Sequence, residues 1–210
     1  MQPDDTEEPV VLAFATPIYR KACPLPDGFN AALKQTILTR RDRQPSTSKS
    51  NIGGWQSTPD FMTWGGPQVQ QLGQWLNEAF GVVMEKQVGH RNFDCRLAVT
   101  AWANVNQDGD YNRQHSHANN HWSAVYYVDL GAPDAKVSPN GALEFTDPRG
   151  AVGVYDLPGL LSVSTWTIQP QPGNLIMFPS WLKHGVLPFR GQGERISIAF
   201  NLRVTELKPT

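Results

Sequence analysis

Charge is scarce in this chain of 210 residues: Asp, Glu, Lys and Arg make up 18 %, and the formal net charge is -1. No run of like charges is long enough to follow a phosphate backbone, so nothing in the charge pattern predicts a nucleic-acid partner. Cysteine is scarcer still. Cys23 and Cys95 lie too far apart for a disulfide framework and form no C-x-x-C metal pattern, so both are expected as small core or surface residues. No apolar stretch approaches the roughly 20 residues needed to cross a bilayer. The opening "MQPDDTEEPVV" is acidic where a secretory signal would be basic and then apolar. These absences predict a soluble, cytoplasmic protein with no membrane partner, acting on a small molecule or a peptide.

Turn-forming residues and tryptophan are abundant. The 17 prolines, 18 glycines and 7 tryptophans argue against a helical bundle and for short strands joined by turns, above all in the second half. The length suits a single domain, 1–210, with a substantial core. Residues 1–8 read as a disordered tail, and "VVLAFATPIYRKAC" as a first strand ended by Pro17. "DGFNAALKQTILTRRDR" places Phe29, Leu33, Ile37 and Leu38 at helical spacing, with a basic end that suits the negative pole of the helix dipole. Residues 44–61 have no periodicity and much Ser, Gly and Pro; a long irregular segment is expected, either a lid, with 49–56 over the substrate, or a disordered stretch. From Pro67, Val69, Leu72, Leu76, Ala79, Phe80 and Val83 share one face of a second helix.

After Asn92 the pattern changes to β-type runs: "CRLAVTAWANV", "HWSAVYYVDL", "GALEFTD", "LLSVSTWTIQP", "GNLIMFPS", "HGVLPF" and "RISIAFNLRV". The simplest packing puts the helices outside a β-sandwich or distorted barrel.

Two stretches carry chemistry. In "NRQHSHANNHW", residues 112–122, His115 and His117 point to the same side of an extended chain and can converge on one ion; His121 shares that face if the strand runs unbroken. In "RISIAFNLRV", Ile196, Ile198, Phe200 and Leu202 alternate with Arg195, Ser197, Ala199 and Asn201, so the second face lines a wet cavity or meets solvent. His184 opens the short run before it. If a turn at 190–194 closes an antiparallel hairpin, Arg195 lies roughly 13 Å along the sheet from the position opposite His184, at ~3.3 Å per residue. An Arg side chain reaches back over much of that distance, and the gap left between a metal at His184 and the guanidinium would suit a short dicarboxylate, clamped by Arg195 with Ser197 as a further donor.

The order H-x-H, "SAVYYVDL", "GALEFTDPR", "PGNLIMFPSWLKHGVLP" and "ERISIAFN" resembles the double-stranded β-helix core of the Fe(II)- and 2-oxoglutarate-dependent dioxygenases. Within them it is most similar to the prolyl-hydroxylase-like branch and to bacterial oxygenases of this type. The likeness runs from about Trp102 to Asn201, and "SNIGGWQS" at 50–57 resembles that group's N-terminal region. The resemblance implies a mainly β (α+β) fold: a jelly-roll, cupin-like core over 92–204 with two N-terminal helices packed on one sheet. It implies His115 and His184 as iron ligands, Arg195 and Ser197 as the seat of the far carboxylate of 2-oxoglutarate, and Tyr127 and Asn104 as further contacts of that co-substrate. The implied reaction uses Fe(II), 2-oxoglutarate and molecular oxygen to hydroxylate a C–H bond, releasing succinate and CO2. A homodimer is compatible with it.

The sequence departs from the family where most members carry Asp or Glu two residues after the first His; here that residue is His117. Three imidazoles suit Fe, Zn, Cu or Ni, so His115, His117 and His184 are the expected metal ligands, and the full 2+ charge is left for an anionic co-substrate to balance. The same set leaves open a cupin-type three-His dioxygenase, a zinc hydrolase that uses no 2-oxoglutarate, and a metal-free sugar- or peptide-binding β-sandwich. His121 reads as a pocket or surface residue and His90 as solvated. Glu144, Asp147, Asp110 and Asp129 are expected at core edges or turns. Most tryptophans are expected in the core, with Trp55, on the lid, the best placed to touch substrate.

Overall fold

The computed structural model describes residues 14–89, 94–149 and 164–208. Its elements are β1 (Tyr19–Ala22), α1 (Phe29–Arg41), β2 (Asn51–Ile52), β3 (Trp55–Gln56), a 3-10 turn (Phe61–Thr63) and α2 (Pro67–Val88), followed by strands alone. These are β4 (Asp94–Asn106), β5 (Tyr111–His115), β6 (Trp122–Pro133), β7 (Leu143–Thr146), β8 (Thr165–Ile168), β9 (Asn174–Pro179), β10 (His184–Val186) and β11 (Gly191–Lys208). The chain is thus mainly β, with two helices and antiparallel sheets. No helix among the described residues is long and apolar enough to cross a membrane.

Both helices lie where the apolar spacing puts them. α1 buries Phe29, Leu33 and Ile37, and its basic last turn is tied down by Arg40 to Asp60 and Arg41 to Glu194. α2 starts on Pro67, where the missing N–H is one the helix could not use, and stops at Gly89, whose positive φ of 81° lets its N–H reach the Glu85 carbonyl.

The strands form a six-stranded sheet, β1-β9-β6-β11-β4-β3, and a five-stranded sheet, β2-β5-β10-β7-β8. The larger sheet has two different faces. One packs the buried faces of α1 and α2 against Ala101, Ala103, Tyr126, Met177 and the row Ile196, Ile198, Phe200, Leu202. Burying each of these larger side chains stabilises the fold by roughly 1.5–3 kcal/mol. The other face sends Tyr127, Ile176 and Phe178 to meet Leu143, Phe145 and Ile168 of the smaller sheet. The alternation of "RISIAFNLRV" therefore sorts as expected: apolar residues toward the helices, Arg195, Ser197 and Ala199 toward the space between the sheets.

Several expectations need correction. The first strand follows Pro17 rather than ending at it, because a residue without an N–H cannot serve the ladder that Tyr19–Ala22 makes with β9. Segment 44–61 is not wholly irregular: β2 joins β5 and β3 joins β4, so this stretch ties the two sheets together. β5 was hidden by its polarity, since a strand reading "YNRQH" has no apolar alternation to reveal it. The 184–204 hairpin does not form. β10 pairs with β5 and β7, while β11 pairs with β4 and β6, so His184 and Arg195 stand on different sheets. The expected tail at 1–8, the turn holding His90 and the start of the run at 160–163 lie outside the described residues.

Candidate metal centre and co-substrate cavity

His115 ends β5 and His184 begins β10, and the register sets them directly opposite each other. The strands approach closely because β10 carries Gly185 next: a Cβ there would lie 2.9 Å from the Asn112 carbonyl oxygen. His117 lies just past the end of β5, held by its backbone N–H to the Ser180 carbonyl at 3.0 Å. The three rings converge, with centroids 4.5 Å apart for His115 and His184, 4.8 Å for His115 and His117, and 5.1 Å for His117 and His184. One potential ligand nitrogen from each lies within 4.8 Å of the others. This is the one such His, Cys or carboxylate group found among the described residues.

Two of the rings are fixed in tautomer as well as place. His115 Nδ1 is 2.7 Å from the Arg113 carbonyl and His184 Nδ1 is 2.8 Å from the Leu182 carbonyl. A carbonyl only accepts, so in both rings Nδ1 carries the proton and Nε2 keeps its lone pair, as a metal ligand requires. Burial lowers all three pKa values and, with proximity to His115 acting the same way on the other two, brings His117 to about 4 and His184 to about 3. The imidazoles are therefore neutral at pH 7. Phe178 packs on His184 with centroids 4.6 Å apart, and Trp102 meets His117 at 5.7 Å.

The same cavity is bordered by Arg195, Ser197, Tyr127 and Asn104. Register accounts for the grouping: Ser197 on β11 lies between Asn104 of β4 and Tyr127 of β6, with Arg195 next along its own strand on the same face. Arg195 is 2 % exposed, donates Nε to the Gly141 carbonyl at 3.0 Å, and sits 5.3 Å from the centre of the Tyr127 ring. Gly141 has a φ of 56°, and a Cβ there would come within 3.1 Å of the Arg195 side chain, so only glycine leaves the guanidinium this seat.

No described carboxylate pairs with Arg195. Its Nη2, the Tyr127 hydroxyl and the Asn104 Oδ1 are all buried without a hydrogen-bond partner. A buried guanidinium with one nitrogen unsatisfied and no counter-charge, beside a buried phenol whose hydroxyl is unsatisfied, is poorly explained as packing. They suit an oxyanion ligand. Burial pulls the Arg195 pKa down against the effect of Tyr127, and pushes the Tyr127 pKa up against the effect of Arg195, so the phenol is a donor at neutral pH.

Other candidates lie elsewhere. His121 is outside the cluster, its Nδ1 accepting the Val204 N–H at 3.1 Å. Glu144 accepts from Gln114, Asp147 pairs with Arg149, Asp129 with Lys34, and Asp110 accepts the Gln107 N–H. None of these carboxylates borders the cavity. Cys23 and Cys95 are free thiols, with burial pushing Cys23 up to about 11.

Among the tryptophans, Trp55 is a core residue, 8 % exposed with Nε1 on the Gln44 carbonyl, and does not border the cavity. Trp102 does, and the signal was available: it shares a strand face with Asn104. Trp166 and Trp181 are exposed rather than buried. Of the segment 49–56, Ser50 alone reaches the cavity.

Residues 100–201 match a family model described as "Putative 2OG-Fe(II) oxygenase". The solved structures similar to this chain include a Pseudomonas putida prolyl-4-hydroxylase, at 17 % identity and a TM-score of 0.60, over 89 % of this chain and 91 % of that one. A second is the viral collagen prolyl hydroxylase of Paramecium Bursaria Chlorella virus-1 in complex with 2OG, at 15 % identity and 0.54, over 88 % and 94 %. A third is HygX of Streptomyces hygroscopicus with nickel and 2-oxoglutarate bound, at 11 % identity and 0.61, over 90 % and 84 %. These likenesses concern the fold. No curated protein sequence matches the chain at a significant level. The matched span runs from within β4 to Asn201, and so contains all three clustered histidines, Arg195, Ser197, Tyr127 and Asn104. That span, just under half of the chain, is what is similar to the 2OG-Fe(II) oxygenases.

Proposed function

We propose that the protein is an Fe(II)- and 2-oxoglutarate-dependent oxygenase that hydroxylates a C–H bond of a small-molecule or peptidyl substrate, with His115, His117 and His184 as the metal ligands. Arg195 and Ser197 receive the far carboxylate of 2-oxoglutarate, with Tyr127 and Asn104 beside it. The observation that carries this reading is one cavity with two unlike ends: neutral imidazoles at one, and at the other a buried guanidinium with no carboxylate partner. Three neutral ligands leave a divalent ion's charge intact, and the buried Arg195 adds another positive charge. A dianionic co-substrate bridging the two answers both.

Bound Fe(II) would supply the redox chemistry and the binding of oxygen, coupling decarboxylation of 2-oxoglutarate to succinate and CO2 with insertion of one oxygen atom into the substrate C–H bond. The chain's part is placement. Arg195 Nη2, the Tyr127 hydroxyl and the Ser197 hydroxyl are the donors for the far carboxylate, and their mutual register fixes its position. Phe178, Leu143 and Val125 border the cavity with apolar surface that keeps water from the reacting end. Segment 49–56, anchored to both sheets, reaches the cavity through Ser50 on the side where the substrate is held.

The same reading takes the two sheets as a double-stranded β-helix over 92–204, within a single domain, with the helices on the larger sheet. It describes a cytoplasmic enzyme without nucleic-acid or membrane partners; a homodimer fits but is not required. A cupin-type three-His oxygenase or hydrolase would keep the imidazoles but give Arg195 no anion to bind. Succinate formation across a substrate panel, with Fe(II) and 2-oxoglutarate present, tests cofactor and substrate together. Anaerobic addition of both to metal-free protein should give a visible charge-transfer band. No band, with tight zinc binding instead, overturns the proposal.

A further inference from the structure

The three clustered histidines are not held alike. His115 and His184 each anchor their ring through Nδ1 to a carbonyl of their own strand or turn. No described residue hydrogen-bonds to either ring nitrogen of His117, whose ring neighbours are Trp102, His115 and His184. Its position must therefore be set through the backbone, and a metal ligand without such support is easily displaced.

The backbone support leads to Ser180. Its carbonyl accepts the His117 N–H at 3.0 Å, and its own N–H donates to the His121 carbonyl at 3.1 Å, so one residue clips both ends of the 117–121 loop. The far end is secured again by the His121 N–H on the Leu202 carbonyl and by Val204 N–H on the His121 ring. Ser180 is itself 0 % exposed and locked by a side-chain relay, with its hydroxyl 2.9 Å from that of Ser123 and Ser123 donating to Asn201 Oδ1 at 2.9 Å. Ser123 has one proton and gives it to Asn201, so the Ser180 hydroxyl must donate to Ser123. The order is thus fixed: Ser180 to Ser123 to Asn201, across β6 and β11 of the larger sheet. Simple packing does not account for three buried polar side chains here, since an apolar trio would fill the same space without needing partners.

We propose that Ser180, locked by Ser123 and Asn201, is a positioning residue for the third metal ligand, and that His121 is the second anchor of the loop that carries it. This rests on the reading of His117 as a ligand. Ser123 borders the cavity, while Ser180 and Asn201 do not; Ser180 acts by holding His117 where its lone pair meets those of His115 and His184. A ring held only in this way tolerates less loss of support than its two neighbours.

The test is a Co(II) titration of the metal-free full chain, read by visible absorption, on protein shown to be folded by near-UV circular dichroism. Ser180→Ala and Asn201→Ala each remove a link outside the cavity while leaving the Ser180 carbonyl in place; should one fail to fold, the other is read. Each is expected to weaken Co(II) binding by about tenfold, the scale of lost support around a metal ligand, and to alter the cobalt absorption envelope. The decisive arm repeats both in a His117→Ala background, where neither should weaken binding further. Unchanged Co(II) affinity and spectrum in the single variants, or an equal loss in the His117→Ala background, overturns the proposal. His117→Ala compared with the wild type separately tests the ligand reading: no loss there refutes His117 as a ligand, whatever the relay variants do.

Discussion

His184 and Arg195 are near neighbours in the chain but stand on different sheets, and they meet only across the cavity between them. The segment that joins them crosses from one sheet to the other. The three-histidine end and the Arg195 end of the cavity are thus supported by separate hydrogen-bond ladders, which predicts that each can be disabled without the other.

Arg195→Ala should leave Fe(II) or Co(II) binding near the wild-type value and weaken 2-oxoglutarate binding by roughly 30-fold or more, the scale for truncating one side of a buried charged pair. Titrating the anaerobic charge-transfer band with 2-oxoglutarate measures it. Equal affinity in the variant would assign Arg195 a packing role only.

His117→Asp should restore the two-His, one-carboxylate ligand set common in non-haem iron oxygenases and keep metal binding within about tenfold of the wild type. Iron content after reconstitution, with succinate formation, reports the outcome. A variant that takes up no metal would show that a carboxylate cannot replace the imidazole at this position.

Tyr127→Phe removes a buried hydroxyl that has no partner in the protein. The metal-free variant should be as stable as the wild type or up to ~1 kcal/mol more so, while 2-oxoglutarate binds about 5- to 10-fold less well, in line with one lost hydrogen bond. Thermal melts with and without 2-oxoglutarate separate the two effects; a large loss of stability without ligand contradicts the assignment.

The metal-free protein should lose stability in mild acid. His117 and His184 have folded pKa values of about 4 and about 3, held below the ordinary 6.5 chiefly by burial. Between those values and 6.5 the unfolded chain binds more protons, so stability rises with pH through this window and is complete above it. The melting temperature should fall steadily from pH 6.5 toward 4.5, before most carboxylates titrate. A flat profile there, or one no steeper than that of His184→Ala, would refute the burial argument.

Trp55→Ala should act on stability and not on substrate choice. The side chain is in the core that joins the larger sheet to the helices, and its removal should cost about 3–5 kcal/mol. Chemical denaturation gives the loss directly. A shift in substrate preference with stability unchanged would return Trp55 to the site.

Much of this was legible in the order of residues. The two helices follow from apolar spacing, because a helix that must bury one face repeats its apolar residues every three or four positions whatever it packs on. The two faces of 195–202 follow from alternation for the same reason. The conjunction of H-x-H with His184 and the Arg195, Ser197 pair was visible because chemistry restricts which side chains can hold a metal or an oxyanion.

What the sequence could not decide is which strand lies beside which. The hairpin expected from 184 to 204 was locally reasonable, yet β10 is held by β5 and β7, and the cavity is the gap between sheets rather than a stretch along one. β5 gave no periodic signal because the partners that make it a strand are remote in the chain. Trp55 and Trp102 could not be ranked, since burial depends on what packs against a residue and not on its type. The sequence by itself determined the kinds of groups available and the faces they occupy; the tertiary structure decided which face opposes which, because long-range strand pairing is set by the packing of the whole core.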